Sequence, residues 1–160
     1  ELSSLVVDLK LIVGATGSQE HALRKLSRDE YPQLSIEFIG KFDDQKNIEI
    51  LSDGYVVHVS AASSDGGLAA SCAEAMGAGR VSFFPNHGDN GRWYPRIENF
   101  YPAIDILSTA DSVKAILDYL DMSPEAKREL HQQSVEIIND NYNRSKEMDK
   151  VVSWYNPSGV

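Results

Sequence analysis

The stretch Ser63-Ser64-Asp65-Gly66-Gly67-Leu68-Ala69-Ala70-Ser71-Cys72-Ala73-Glu74-Ala75-Met76-Gly77-Ala78-Gly79 concentrates the residue types that can do chemistry. The glycine pair Gly66-Gly67 precedes a helical pattern. Backbone N–H groups at a helix N-terminus, unobstructed where glycine has no Cβ, form an anion site suited to phosphate. The helix pattern has two faces. Leu68, Cys72, Ala75 and Met76, at i, i+4, i+7 and i+8, form an apolar stripe for the core. Glu74 lies away from that stripe, among Gly67, Ala70, Ser71 and Ala78, so a ligand has room to approach the helix closely. A carboxylate in such a place can accept two hydrogen bonds from a vicinal diol, as ribose presents. The same spacing also suits an Ala/Gly-rich helix that simply packs tightly on a sheet, and spacing alone leaves both readings open.

Other chemistry-bearing residues are sparse. His21, His58, His87 and His131 show no i, i+3 or i, i+4 pairing, so no metal site is expected. His58 falls in a strand pattern and reads as a satisfied core or edge histidine, whereas His87, in an irregular loop beside Asp89, is the better catalytic candidate. Arg92, Trp93, Tyr94 and Arg96 can stack on a base or a sugar, cover the core, or meet another domain. Cys72, on the apolar face, reads as a small buried hydrophobe rather than a nucleophile. Asp29-Glu30 and Asp43-Asp44 read as solvated helix-end charges. The Ser60 to Ser64 run has no nucleophile-elbow pattern, which disfavours a hydrolase.

Positioning these residues falls to short β-branched or apolar runs alternating with helical patterns, the sequence sign of an α/β parallel sheet. Strands are expected over Lys10 to Val13, Ser35 to Ile39, Tyr55 to Val59, Val81 to Phe84 and Ile104 to Leu107. Ser18 is expected to cap a helix that buries Ala22, Leu23 and Leu26, and Asp43 or Asp44 to cap a short one with Ile48 and Leu51. Val113, Ile116, Leu117 and Leu120 follow helical spacing, and Ser123-Pro124 gives a cap followed by proline at the first helical position. Met148, Val151, Val152 and Tyr155 repeat that spacing, so C-terminal helices are expected over about 111–155. Leu2, Leu5, Val6 and Leu9 look like the tail of a helix whose preceding strand is absent. Residues 85–102, rich in Asn, Gly, Pro and aromatics, form the one long irregular stretch, of a length that is usually functional or mobile.

Length and charge bound the answer. The 160 residues are expected to form a single domain, and 42% apolar with 24% charged residues is ordinary globular usage. A formal charge of −9 argues against nucleic acid or an anionic membrane surface as partner, both of which need clustered cations. One cysteine rules out an intrachain disulfide and fits a reducing cytosol. No apolar run approaches the ~18 residues of a membrane span. The sequence starts at Glu1 without a methionine, as a processed product or a piece of something longer would.

The Asp65 to Gly79 segment resembles the signature of retaining GT-B glycosyltransferases, whose C-terminal domain carries an acidic residue, Gly-rich residues, Glu-Ala-Met and a small residue before Gly. The matching positions are Asp65, Gly66-Gly67, Glu74-Ala75-Met76 and Ala78-Gly79. Leu11 to Gly14, Ile36 to Lys41, Gly88 to Trp93, Asn141 to Asn143 and Val151 to Tyr155 are similar to further family segments in the same order. The first acidic residue is Asp rather than the commoner Glu, and it stands nine positions before Glu74, one more than the family spacing.

The resemblance implies an α/β fold with a Rossmann-like parallel sheet flanked by helices, the C-terminal half of a GT-B fold. It implies transfer of a sugar from a UDP- or GDP-linked donor to an acceptor in glycan or glycolipid synthesis, as part of a larger hexosyltransferase. Glu74 would hold the ribose hydroxyls, Asp65 the donor sugar, and the amides of Gly66, Gly67 and Leu68 the diphosphate or sugar. Gly40, Lys41 and Phe42 would line the base. No metal or other cofactor is implied, since protein cations and helix dipoles neutralise the diphosphate. The family's first strand, with its Gly-Arg and downstream Lys, and its acceptor domain would precede Glu1 or come from a partner chain. A cytoplasmic location is implied, at the inner membrane face only through those absent regions. A non-catalytic partner-binding module that keeps the half-domain fold is the alternative; a sugar epimerase would need catalytic acids and a histidine that find no place.

Overall fold

The computed structural model describes residues 10–14, 16–53, 56–60, 68–87, 90–142, 146, 148 and 149. The chain divides into two compact units, Glu1–Ser52 and Asp53–Val160. Together they give an α/β protein with small parallel sheets packed against helices. No described helix is long and apolar enough to cross a membrane.

In the first unit, β1 (Lys10–Val13) pairs in parallel with β2 (Ser35–Phe38), Lys10 opposite Ser35 and Val13 opposite Phe38. The connection is α1 (Glu20–Glu30), and α2 (Asp44–Ser52) follows β2. Arg24 ties α1 to β2: its guanidinium lies 4.5 Å from the centre of the Phe38 ring, while Nε donates to Glu20 at 2.9 Å. Asp43 is the residue that starts α2, its Oδ1 accepting from the Lys46 amide at 2.9 Å. Two expectations fail here. Gln19, not Ser18, occupies the cap position of α1, and it makes no side-chain cap bond. Leu23 and Leu26 are exposed, Ala22 with them, as is Ile48 on α2. Periodicity marks a face that is apolar and does not say what covers it.

The second unit holds a parallel sheet in the order β3-β4-β5, from β3 (His58–Val59), β4 (Ser82–Pro85) and β5 (Ala103–Ile104). Between β3 and β4 runs α3 (Ala70–Gly77); α4 (Thr109–Leu120) and α5 (Pro124–Asn141) follow the sheet. β4 is buried along its whole length, and its successive side chains feed two clusters. Phe84 joins Leu68, Cys72, Met76, Trp93 and Tyr94, with Ile137 and Ile138 of α5 packed against them. Phe83 and Val81 join Ile104, Tyr119 and Leu130, with Ile116 and Leu120 of α4 alongside. A strand covered on both faces tends to read as an apolar run, and Val81 to Phe84 does so apart from the buried Ser82.

Local chemistry sets the helix ends. Ser108 Oγ accepts from the Asp111 amide at 3.3 Å, and Ser123 Oγ from the Ala126 amide at 3.2 Å, with Pro124 just inside α5 as expected. At the end of α3, Gly79 has φ +71°, its amide donates to Met76 O, and the Arg80 amide donates to Ala75 O, both at 2.9 Å. That pair of bonds is a Schellman motif, which needs a residue free to take positive φ.

The fifth strand starts one residue earlier than expected and is shorter. It ends at Ile104, and Leu107 is 91% exposed. The 85–102 stretch also differs from a bare loop. It contains a short 3₁₀ helix, Asn90–Trp93, and an antiparallel bridge between Ile97 and Phe100. It buries Trp93, Tyr94, Pro95 and Pro102. The third strand is shorter than the expected Tyr55 to Val59: it covers only His58–Val59, and Val56 and Val57 lie outside it. The expectations for Leu2 to Leu9, for Val151, Val152 and Tyr155, and for Tyr55 itself lie outside the described residues.

Candidate functional site

Because β3 and β4 run in parallel, the segments leaving them emerge at one edge of the sheet. The first leads into α3; the second carries the 3₁₀ helix. The apolar stripe of α3 is where its spacing puts it, with Cys72, Ala75 and Met76 fully buried and Leu68 nearly so. On the other side, Glu74 is exposed together with Ala70, Ser71 and Ala78. Ala69, at the cap position, is extended (φ −61°, ψ 147°) and has no side-chain oxygen with which to accept from the first helical amides. The start of α3 is therefore an exposed, small-residue surface that carries one carboxylate. Asp65, Gly66 and Gly67 lie outside the described residues.

The beginning of this helix is tied to the C-terminal end of α5 and to the second loop. Tyr142, which ends α5, donates its hydroxyl to the Leu68 carbonyl at 3.5 Å, and its ring centre lies 5.1 Å from that of Trp93. Arg92 stacks on Trp93 at 4.5 Å, and Arg96 lies over Tyr101 at 5.4 Å while donating to Gly91 O at 3.1 Å. Phe84 and Tyr94 stack with centroids 4.4 Å apart, and the Tyr94 hydroxyl donates to Phe84 O. Burial pushes the Tyr94 phenol far above its ordinary range, so it stays a donor. Of the three roles open to this loop from sequence, Trp93 and Tyr94 take that of core cover, and Arg92 and Arg96 remain at the surface.

Among the described residues, two buried polar atoms at this edge, Asn90 Oδ1 and Trp93 Nε1, have no hydrogen-bond partner. Asn90 uses its Nδ2 to donate to Pro85 O at 3.1 Å, which anchors the 3₁₀ helix to the end of β4. Neither Asn90 nor Tyr142 stood out in the sequence as a site residue. An Asn-Gly pair reads as a turn, and a tyrosine 74 positions from Leu68 gives no local signal.

The histidines are structural in different degrees. His58 Nδ1 is 2.7 Å from Ser82 Oγ across the sheet, and burial holds the imidazole below its ordinary value of 6.5. His87 is half-buried, its amide donating to Pro85 O at 3.1 Å; Asp89 lies outside the described residues. Among the described residues no three His, Cys, Asp or Glu side chains gather as a metal would require.

Gly40, Lys41 and Phe42 belong to the first unit, whereas Leu68 and Glu74 belong to the second. Gly40 has φ +69°, which lets the chain turn sharply after β2, and Lys41 and Phe42 are exposed. The Phe42 ring lies so close to Gly14 that a Cβ there would stand 2.3 Å from its Cε1. No known protein family matches the chain, and neither does a curated protein or a solved structure.

Proposed function

We propose that the chain is the donor-binding part of a GT-B-type glycosyltransferase, with a Rossmann-like arrangement of its α/β elements, and that it holds a nucleotide-sugar at the carboxyl edge of its parallel strands. Open α/β sheets bind ligands at that edge. The observation that carries the reading is the division of α3. Its apolar stripe is buried, and Glu74 stands exposed among small residues one turn beyond an N-terminus whose cap residue is alanine. Glu74 accepts from the ribose diol, and the amides leading into α3 face the diphosphate. Asp65 to Leu68 contact the sugar and phosphates. Catalysis rests on positioning and on stabilising the departing diphosphate, with the acceptor supplied by another domain or chain.

Calorimetric titration with UDP, GDP and their sugar conjugates tests this reading. Saturable binding of one base is expected, and Glu74→Ala is expected to weaken it by about 1.5–3 kcal/mol, the range for a hydrogen bond to a charged group, with the melting temperature unchanged. Unchanged affinity with lost stability would make Glu74 a structural residue. A second reading, a partner-binding module without catalysis, is favoured by the exposed Leu11, Ile12, Leu23, Leu26 and Ile48 of the first unit. It predicts no response to any nucleotide.

A further inference from the structure

We propose that Asn90 and Trp93 form a subsite for one hydroxyl of a hexose, an inference that rests on the nucleotide-sugar reading above. Both residues lie on the 3₁₀ helix after β4, and both are buried, at 2% and 7% exposure. In a 3₁₀ helix side chains three residues apart eclipse, about 6 Å apart along the axis, so the two share one face. Neither Asn90 Oδ1 nor Trp93 Nε1 has a hydrogen-bond partner among the described residues. Turning the Asn90 amide round is no remedy, because Nδ2 donates to Pro85 O at 3.1 Å and a carbonyl only accepts. One orphan is therefore an acceptor and its neighbour a donor. Buried polar atoms left unmade are costly, and a ligand that satisfies both relieves that cost.

That pairing selects the ligand group. A hydroxyl donates its proton to Asn90 Oδ1 and accepts from Trp93 Nε1 at the same oxygen, through two bonds of about 2.8 Å each that together span about the axial spacing of the two residues. A phosphate oxyanion offers acceptors only and would set an oxygen against Asn90 Oδ1, so the subsite suits the sugar and not the diphosphate. Its place fits that role. Trp93 packs in one cluster with Leu68, Ala69 and Ala73, and its ring meets that of Tyr142, whose hydroxyl reaches the Leu68 carbonyl. The indole therefore borders the start of α3. Arg92 lies over it at 4.5 Å, exposed, and its guanidinium forms no hydrogen bond or ion pair among the described residues. It is the part of the cover that swings aside to admit a ligand.

The test follows the Trp93 indole N–H by NMR in the full 160-residue chain, with Trp154→Phe used to identify its signal. UDP-glucose and GDP-mannose are added in parallel with UDP, GDP and the methyl glycosides of the two sugars. The indole proton is expected to move downfield saturably, and to exchange more slowly with water, with a sugar conjugate and not with its bare nucleotide. Asn90→Leu is expected to weaken the conjugate about tenfold and to leave the bare nucleotide as it was. If that variant does not fold, the indole titration of the unsubstituted chain decides alone. A shift with a methyl glycoside and none with the conjugates supports the subsite and assigns the hydroxyl to an acceptor sugar. An indole signal that ignores every sugar while calorimetry registers the conjugate overturns the subsite and leaves the two atoms bridged by an enclosed water. An equal shift with the bare nucleotide overturns it as well. No heat with any nucleotide overturns the donor reading instead; the subsite then holds on a response to the methyl glycosides and falls without one.

Discussion

Met76 offers a direct measure of how much of the structure rests on the buried face of α3. The side chain is fully buried within a cluster that includes Trp93. Met76→Ala removes three heavy atoms, each worth about 0.8 kcal/mol of transfer free energy, or roughly 2.4 kcal/mol together. A residual cavity of roughly 60 Å³ adds about 1.4 kcal/mol at ~24 cal/mol per Å³. The expected loss is therefore about 3–4 kcal/mol, a large share of the ~5–15 kcal/mol that holds a typical domain together. Leu107→Ala is the matched control: the leucine is 91% exposed, and its truncation should stay within about 0.5 kcal/mol. Urea unfolding followed by Trp93 fluorescence, in a Trp154→Phe background, reads the same cluster that Met76 supports. With a slope of about 2 kcal/mol per molar, the midpoint should fall by roughly 1.5–2 M for Met76→Ala and hardly move for Leu107→Ala. A loss below about 1 kcal/mol for Met76→Ala at unchanged slope, or equal losses for the two variants, would refute the packing assigned to α3.

Stability should also fall on acidification below the ordinary histidine value of 6.5. Burial holds His58 and His131 below that value in the folded chain, so the unfolded chain binds more protons in the window beneath it. Thermal melts between about pH 5 and 7 should show this slope, and it should flatten in His58→Asn but not in His21→Asn. Gly79→Ala should cost about 1–2 kcal/mol, because φ +71° is strained for a residue with a Cβ while the space beside it is open enough. Gly79→Asn should cost less in the same chemical-denaturation experiment, and equal costs would point to crowding against Val135 instead.

How much was legible depended on whether the signal was local. The buried stripe of α3 follows from spacing alone, as do the strands at Lys10, Ser35 and Val81 and the Ser123-Pro124 cap. Leu23 and Leu26 show what periodicity leaves out: it marks a face as apolar and says nothing of what covers it. The 85–102 stretch, irregular as expected, shows a related limit. Its Asn, Gly and Pro content breaks regular hydrogen bonding, yet Trp93, Tyr94, Pro95 and Pro102 still fill core volume without belonging to a strand or long helix. Contacts such as Tyr142 with Leu68, Tyr119 with His131 and His58 with Ser82 join residues from separate elements, and no pattern within either partner announces them. Glu74 is legible as an exposed carboxylate because its helix is legible.

The order β3-β4-β5 has a consequence for how the second unit is made. Each strand pairs with its immediate predecessor in the chain, His58 with Ser82 and Phe84 with Ala103. None of the described strands has to wait for a distant segment or insert between two already joined. During synthesis, β3, α3 and β4 can assemble once Pro85 has left the ribosome, with Cys72 and Met76 collapsing against Phe84. β5 then adds to an edge that already exists; α4 covers the second cluster through Tyr119, and α5 packs on both, through Leu130 on the second and through Ile137 and Ile138 on the first. Because each pairing joins strands that follow one another in the chain, the unit can be built vectorially, in the order in which it is translated.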